Sequence, residues 1–161
     1  MKRLALVAAT IAIFGVAGCG SSSNPNTPSD TTIFTVQLSA LNEVPAVTNA
    51  EISARGTAVI TVHKTSNLID FSVSLNSFPA GSVVNVAHIH HAAAGLTAGV
   101  LIGTGLTAGT VTLTNGAGTF SFQSVSASAA DIADILANPQ NYYFNVHTAM
   151  NPSGAIRGQL R

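Results

Sequence analysis

An all-β domain, folded as a Greek-key β-sandwich or barrel with one short helix, is what this sequence predicts. Three observations carry the prediction. Short runs alternate apolar and polar residues with the period of two that marks half-buried strands. Turn residues punctuate those runs at short intervals. One stretch switches to helical spacing. Composition agrees: 47% of the 161 residues are apolar, 7% are charged and Trp is absent, so the core rests on Val, Ile, Leu, Ala and Phe. Disorder is excluded, because it needs low hydrophobicity and high net charge, and here the formal net charge is zero. There is no Lys/Arg cluster to neutralise phosphates, so no nucleic-acid partner is expected. The single Cys excludes an intrachain disulfide and a Cys-based zinc site.

The chain opens on an address. Lys2 and Arg3 form a positive region, and Leu4 to Val16 form an apolar run shorter than the roughly 18–20 residues that span a bilayer. Residues 1–18 are therefore expected to be a signal peptide. The run ends in Val16-Ala17-Gly18-Cys19, which resembles the bacterial lipobox. That resemblance implies cleavage before Cys19, lipidation of Cys19 and membrane attachment through its acyl chains. Gly20 follows Cys19, not the Asp of inner-membrane retention, so the implied location is the cell envelope, at the outer membrane or cell surface. From Gly20 onward four basic residues face six acids, a formal charge of −2. Residues 20–32, GSSSNPNTPSDTT, hold no apolar side chain to offset ordering entropy and read, with Cys19, as a flexible tether over 19–32.

The folded domain is expected over 33–161, long enough for one core. Phe34, Val36, Leu38 and Ala40 alternate with Thr35, Gln37 and Ser39. Ala58, Ile60 and Val62 do so next, then Ile69, Phe71, Val73 and Leu75. Later strands are predicted at 83–90, 99–102, 110–114, 118–123, 142–148 and 155–160. Asn115-Gly116 suits a tight hairpin, since both residues tolerate positive φ. Ser128 is a helix N-cap with Asp131 in the first turn, Ile132, Ile135 and Leu136 share a face, and Asn138-Pro139 ends the helix.

Histidines carry the chemistry. Four of the five lie in Ala87-His88-Ile89-His90-His91 and Asn145-Val146-His147-Thr148. In a strand His88 and His90 point to one face, about 6.5–7 Å apart. With His147 from a neighbouring strand they form a candidate transition-metal set, and imidazole suits copper or zinc. Bonds near 2.0–2.1 Å require ring nitrogens within about 4 Å of one another. Parity opposes convergence: His88 and His90 continue the row of Val84 and Val86, while His147 continues the polar row of Tyr143 and Asn145. Either a bulge switches one row, or the three stay apart as hydrogen-bonded structural residues. His63 and His91 fall on surface parities. Asn145 and Thr148 are candidates to orient a ring N–H. Glu43 is the acid nearest to a binding role, with capping of loop N–H groups or pairing with Arg157 as alternatives, and Arg157 reads as a structural donor to a loop carbonyl or carboxylate ahead of a ligand clamp.

These blocks resemble a family. Asn42-Glu43-Val44-Pro45, Ala87-His88-Ile89-His90, Asn145-Val146-His147-Thr148 and Asn151-Pro152-Ser153-Gly154-Ala155-Ile156-Arg157-Gly158-Gln159-Leu160 look like the signature blocks of the CHRD domain, first recognised in chordin and frequent in bacterial secreted proteins. The resemblance spans 33–161. Two departures stand out: His91-Ala92 replaces the usual Gly-Pro, and Ala155 replaces the acid that often precedes Ile-Arg-Gly. The family implies an extracellular module without a settled activity. His88-Ile89-His90 is also similar to the copper-ligand strand of Cu/Zn superoxide dismutases, so the expected architecture is immunoglobulin-like or superoxide dismutase-like. That analogy is partial, because no disulfide is possible here, and a fold does not transfer an activity.

Nucleophilic catalysis has no marked residue: a Gly-x-Ser-x-Gly elbow is missing and the only Cys sits at the lipobox. The leading expectation is a non-enzymatic envelope module that binds a ligand or a metal, copper or zinc, through the His cluster. A structural or protein-interaction domain with internal histidines is the alternative, and a copper-dependent redox enzyme is a distant third.

Overall fold

The computed structural model describes residues 29–161. The predicted signal peptide, Cys19 and most of the tether lie outside the described residues. Nine strands form one antiparallel sheet with a single α-helix: β1 Thr31–Ser39, β2 Arg55–His63, β3 Leu68–Asn76, β4 Val83–His91, β5 Val100–Gly103, β6 Val111–Thr112, β7 Gly118–Ser126, α1 Ala129–Ala137, β8 Tyr142–Thr148 and β9 Ile156–Gln159. The all-β class with one short helix is therefore what the described residues adopt. The strands join as one curled half-barrel, in the order β5-β4-β8-β9-β1-β2-β3-β7, with β6 on β4.

Alternation explains the core. Val36 and Leu38 of β1, Ala58, Ile60 and Val62 of β2, and Ile69, Phe71, Val73 and Leu75 of β3 are buried on the inner face. Phe71 on β3 stacks on Phe144 of β8, with centroids 5.7 Å apart. Those strands are four places apart in the sheet, so the contact crosses the interior and shows how far the sheet curls. Helix α1 starts at Ser128, whose hydroxyl accepts from the Asp131 N–H, and buries Ile132 and Ile135. Asn115 and Gly116 adopt φ of 51° and 75°, the positive values a tight hairpin turn needs.

Strand β1 begins at Thr31, taking in Thr31 and Thr32, which composition assigns to the tether. The reason is local: Thr31 and Thr32 pair with His63 and Val62, and Lys64 donates from its backbone N–H to the Asp30 carbonyl. No helix among the described residues is long and apolar enough to cross a membrane.

Strand β8 positions the site. All seven of its residues are buried, so both faces of the sheet are covered there. Tyr142, Phe144 and Val146 pack into the core, and Tyr143, Asn145 and His147 face the other way. Glu43, Val44, residues 97–99 and Ser153, from three loops, lie against Tyr143, Asn145 and His147 on that second face.

Candidate metal centre

The parity conflict is resolved by a bulge in β4. Val84 pairs with Thr148 and Val86 pairs with His147, so β4 spends one extra residue, Asn85, against β8. A residue inserted on one strand switches the face of everything that follows it. Val84 therefore packs in the core, and beyond the bulge Ala87 and Ile89 do so instead. His88 and His90 move to the face of His147. Cross-strand pairing sets His88 opposite Asn145 and His90 opposite Tyr143.

One ring nitrogen from each of His88, His90 and His147 lies within 4.8 Å of the others. His88 Nδ1 stands 3.3 Å from His147 Nε2. The ring centroids of His88 are 5.5 Å from His90 and 5.0 Å from His147. Against the separation of about 4 Å that bonds of 2.0–2.1 Å require, the widest spacing is less than about 1 Å too long. His88, the half-buried member, has no hydrogen bond to a backbone carbonyl among the described residues, whereas both of its neighbours are pinned.

The pins are backbone carbonyls, which only accept. His147 Nδ1 donates to the Pro152 carbonyl at 2.9 Å, so its Nε2 carries the lone pair. His90 Nδ1 is shared between the Ala98 and Gly99 carbonyls, both at 3.1 Å. The His90 Nε2 is buried with no hydrogen-bond partner. Carbonyl partners that fix the tautomer of a ring are the usual company of metal-binding histidines. The face of His90 stacks on Tyr143, with centroids 4.7 Å apart.

Electrostatics keep the rings neutral. Burial, with the neighbouring His147 and His90, lowers His88 to about 4. Burial likewise lowers His90 and His147, against their carbonyl hydrogen bonds, which raise them. Neutral imidazole is the form that binds a metal.

The other expected residues divide. Asn145 is in the site, 3% exposed, with its Oδ1 unpartnered. It does not orient a ring N–H, since the carbonyls of Pro152, Ala98 and Gly99 do so. Thr148 is turned away, being next to His147 in the alternation. Its hydroxyl donates to Glu51 Oε2 at 2.6 Å and accepts from the Asn151 N–H. Glu43 is buried beside the site, and its carboxyl is pushed up to about 7 by that burial, against the opposing pull of Arg157, the Val44 N–H and the Asn145 side chain. No Glu43–Arg157 ion pair forms among the described residues. Arg157, 2% exposed, instead lies 3.8 Å above the Tyr143 ring and donates from Nη1 to the Leu96 carbonyl at 2.9 Å. His91 is exposed and stacks on Tyr142, and His63 bonds Asp70 at 2.8 Å, both away from the cluster.

Sequence reasoning missed Glu51. It is fully buried and accepts from Thr148 and from the Asn151 amide at 2.5 Å, tying the loop before β2 to the loop after β8. A lone acid in a polar loop gives no signal of such burial. Tyr143, the platform for His90 and Arg157, was legible in principle, because it shares the row of Asn145 and His147.

Comparison with known proteins comes to one family. The family model described as CHRD domain matches residues 34–160. No curated protein and no solved structure matches the chain.

Proposed function

Because the chain belongs to the CHRD domain family, which points to a non-enzymatic binding or structural module, we propose that it is an envelope-anchored lipoprotein whose domain holds one transition-metal ion, copper or zinc, on His88, His90 and His147. The single observation that carries this reading is the buried, unpartnered Nε2 of His90. A structural histidine in a core satisfies both nitrogens, because an orphaned buried acceptor costs about 1–3 kcal/mol. Here Nδ1 is doubly satisfied and Nε2 is bare, in a ring with one nitrogen within 4.8 Å of a nitrogen of each of the other two. His147 Nε2, likewise stripped of its proton by the Pro152 bond, presents a second lone pair.

Anchorage rests on the sequence around Cys19, with the acyl chains as the membrane partner and the outer membrane or cell surface as the location. The metal is a bound cargo or structural ion, and no nucleic acid takes part. Two assays test the proposal. Metal analysis of the full chain, purified from its native envelope without a His tag, should return about one copper or zinc per chain. Wild type should partition into detergent and Cys19→Ser should not. A chain that carries no metal and takes none up contradicts the first half, and an unlipidated, freely soluble wild type contradicts the second.

A further inference from the structure

Beside the histidines lies a cavity of about 220 Å³ whose lining includes Glu43, Val44, His90, Tyr143, Asn145 and Arg157. Two of its walls carry buried acceptors without partners, Glu43 Oε1 and Asn145 Oδ1, on side chains of residues only 6% and 3% exposed. Both need a donor that the described residues do not supply. Arg157 offers the opposite. Its guanidinium has five N–H groups in a planar fork, held over Tyr143 and fixed through Nη1 to Leu96. No other hydrogen bond to that side chain forms among the described residues.

A carboxyl and a guanidinium thus line the same cavity without meeting each other. Oppositely charged neighbours that were purely structural would gain by pairing directly, and a buried Arg–carboxylate contact is commonly bidentate. Kept apart, they complement a ligand with an anionic group at one end and a cationic donor at the other. The space is smaller than the roughly 300–1,000 Å³ of drug-sized sites, which limits the ligand to a few heavy atoms.

We propose that this cavity binds a small free α-amino acid, with its carboxylate on Arg157 and its ammonium on Glu43 and Asn145. The site adjoins the metal position through His90 but goes beyond the metal reading and stands without it.

The test uses the full chain in detergent, stripped of metal so that chelation contributes nothing. Glycine, alanine and serine are titrated calorimetrically at pH 8, where the Glu43 carboxyl is ionised, beside acetate and methylamine as the two halves. At least one amino acid should bind about tenfold or more tighter than either half, as expected when two charge-assisted contacts act together. Glu43→Gln, which keeps shape and removes the charge, should weaken it about tenfold. Arg157→Lys, which keeps charge and loses the fork, should do the same. Thermal melts confirm folding, and should the buried Arg157→Lys not fold, Glu43→Gln decides. Amino acids that bind no tighter than acetate or methylamine, or a folded Glu43→Gln that binds them as wild type does, overturn the proposal. Neither result touches the metal reading, which has its own assay.

Discussion

His88 Nδ1 stands 3.3 Å from His147 Nε2, and the second of these nitrogens has no proton to give, because the Pro152 carbonyl holds the proton of its ring on Nδ1. In the metal-free protein His88 is therefore the donor of this contact. An ion entering between the rings needs the lone pair of His88 Nδ1, so that proton moves to the free Nε2 of the same half-buried ring. The rings remain neutral throughout.

That tautomer exchange makes a countable prediction. Binding of Cu(II) or Zn(II) at pH 7 should release close to zero protons from the three imidazoles. Calorimetry in buffers of different ionisation enthalpy reads the number directly. In the Glu43→Gln variant, which removes the neighbouring carboxyl raised to about 7 as a second proton source, release of one or more protons per ion would mean that the rings are charged before binding, against the lowering that burial imposes on all three.

Stability of the metal-free protein should depend on pH through the same rings. His88 has a folded value of about 4 against an ordinary 6.5, so between those values the unfolded chain binds more protons than the folded one. Its contribution is full above 6.5 and is lost as pH falls toward 4. His90 and His147 act in the same direction. Glu43 acts oppositely: raised to about 7 from 4.5, it removes stability as pH rises through that interval. The readout is thus a difference. Thermal melts of wild type and of the His88→Ala/His90→Ala/His147→Ala variant, from pH 7.5 to 4.5, should show the steeper acid loss in wild type. Parallel curves would contradict the burial of neutral imidazoles.

Packing around β9 gives a prediction free of titration. At Gly158 an added Cβ would press into the Gln37 carbonyl and meet Val36 Cγ1 at 2.8 Å. Gly158→Ala must push β9 away from β1 and should cost about 1–3 kcal/mol, read as a lowered denaturant midpoint. Gly99→Ala is the control, since nothing lies within 4 Å of its Cβ, and it should be near neutral. Equal midpoints for the two variants would mean that β9 is not seated this closely.

Much of this architecture was legible because period-2 alternation translates directly into a buried face. The runs at 34–40, 57–62 and 69–75 became β1, β2 and β3, and Ser128 capped the one helix. Convergence of the histidines was not legible. It depends on the bulge at Asn85, which no residue in Val83-Val84-Asn85-Val86 announces. Without the bulge, alternation sends His88 and His90 to the wrong side. Nor could spacing reveal that carbonyls from Pro152, Ala98 and Gly99 would orient the rings, since any residue supplies a carbonyl. An acid and an arginine in separate blocks make Glu43 and Arg157 a possible pair, yet their separation across a cavity is a property of loop packing. Thr148 shows the reverse error. Adjacent to His147 in sequence, it points to the opposite face and serves Glu51.

Titration of the tag-free full chain with Cu(II) and Zn(II), wild type beside His88→Ala, His90→Ala, His147→Ala and the triple variant, tests the central claim most directly. Wild type should take up one equivalent, and each single substitution should weaken uptake by at least about 10–100-fold, the loss that even an outer-shell partner brings, while melts show a folded protein. Wild type that binds neither ion more tightly than the triple variant would contradict the metal centre and leave the three histidines as structural residues.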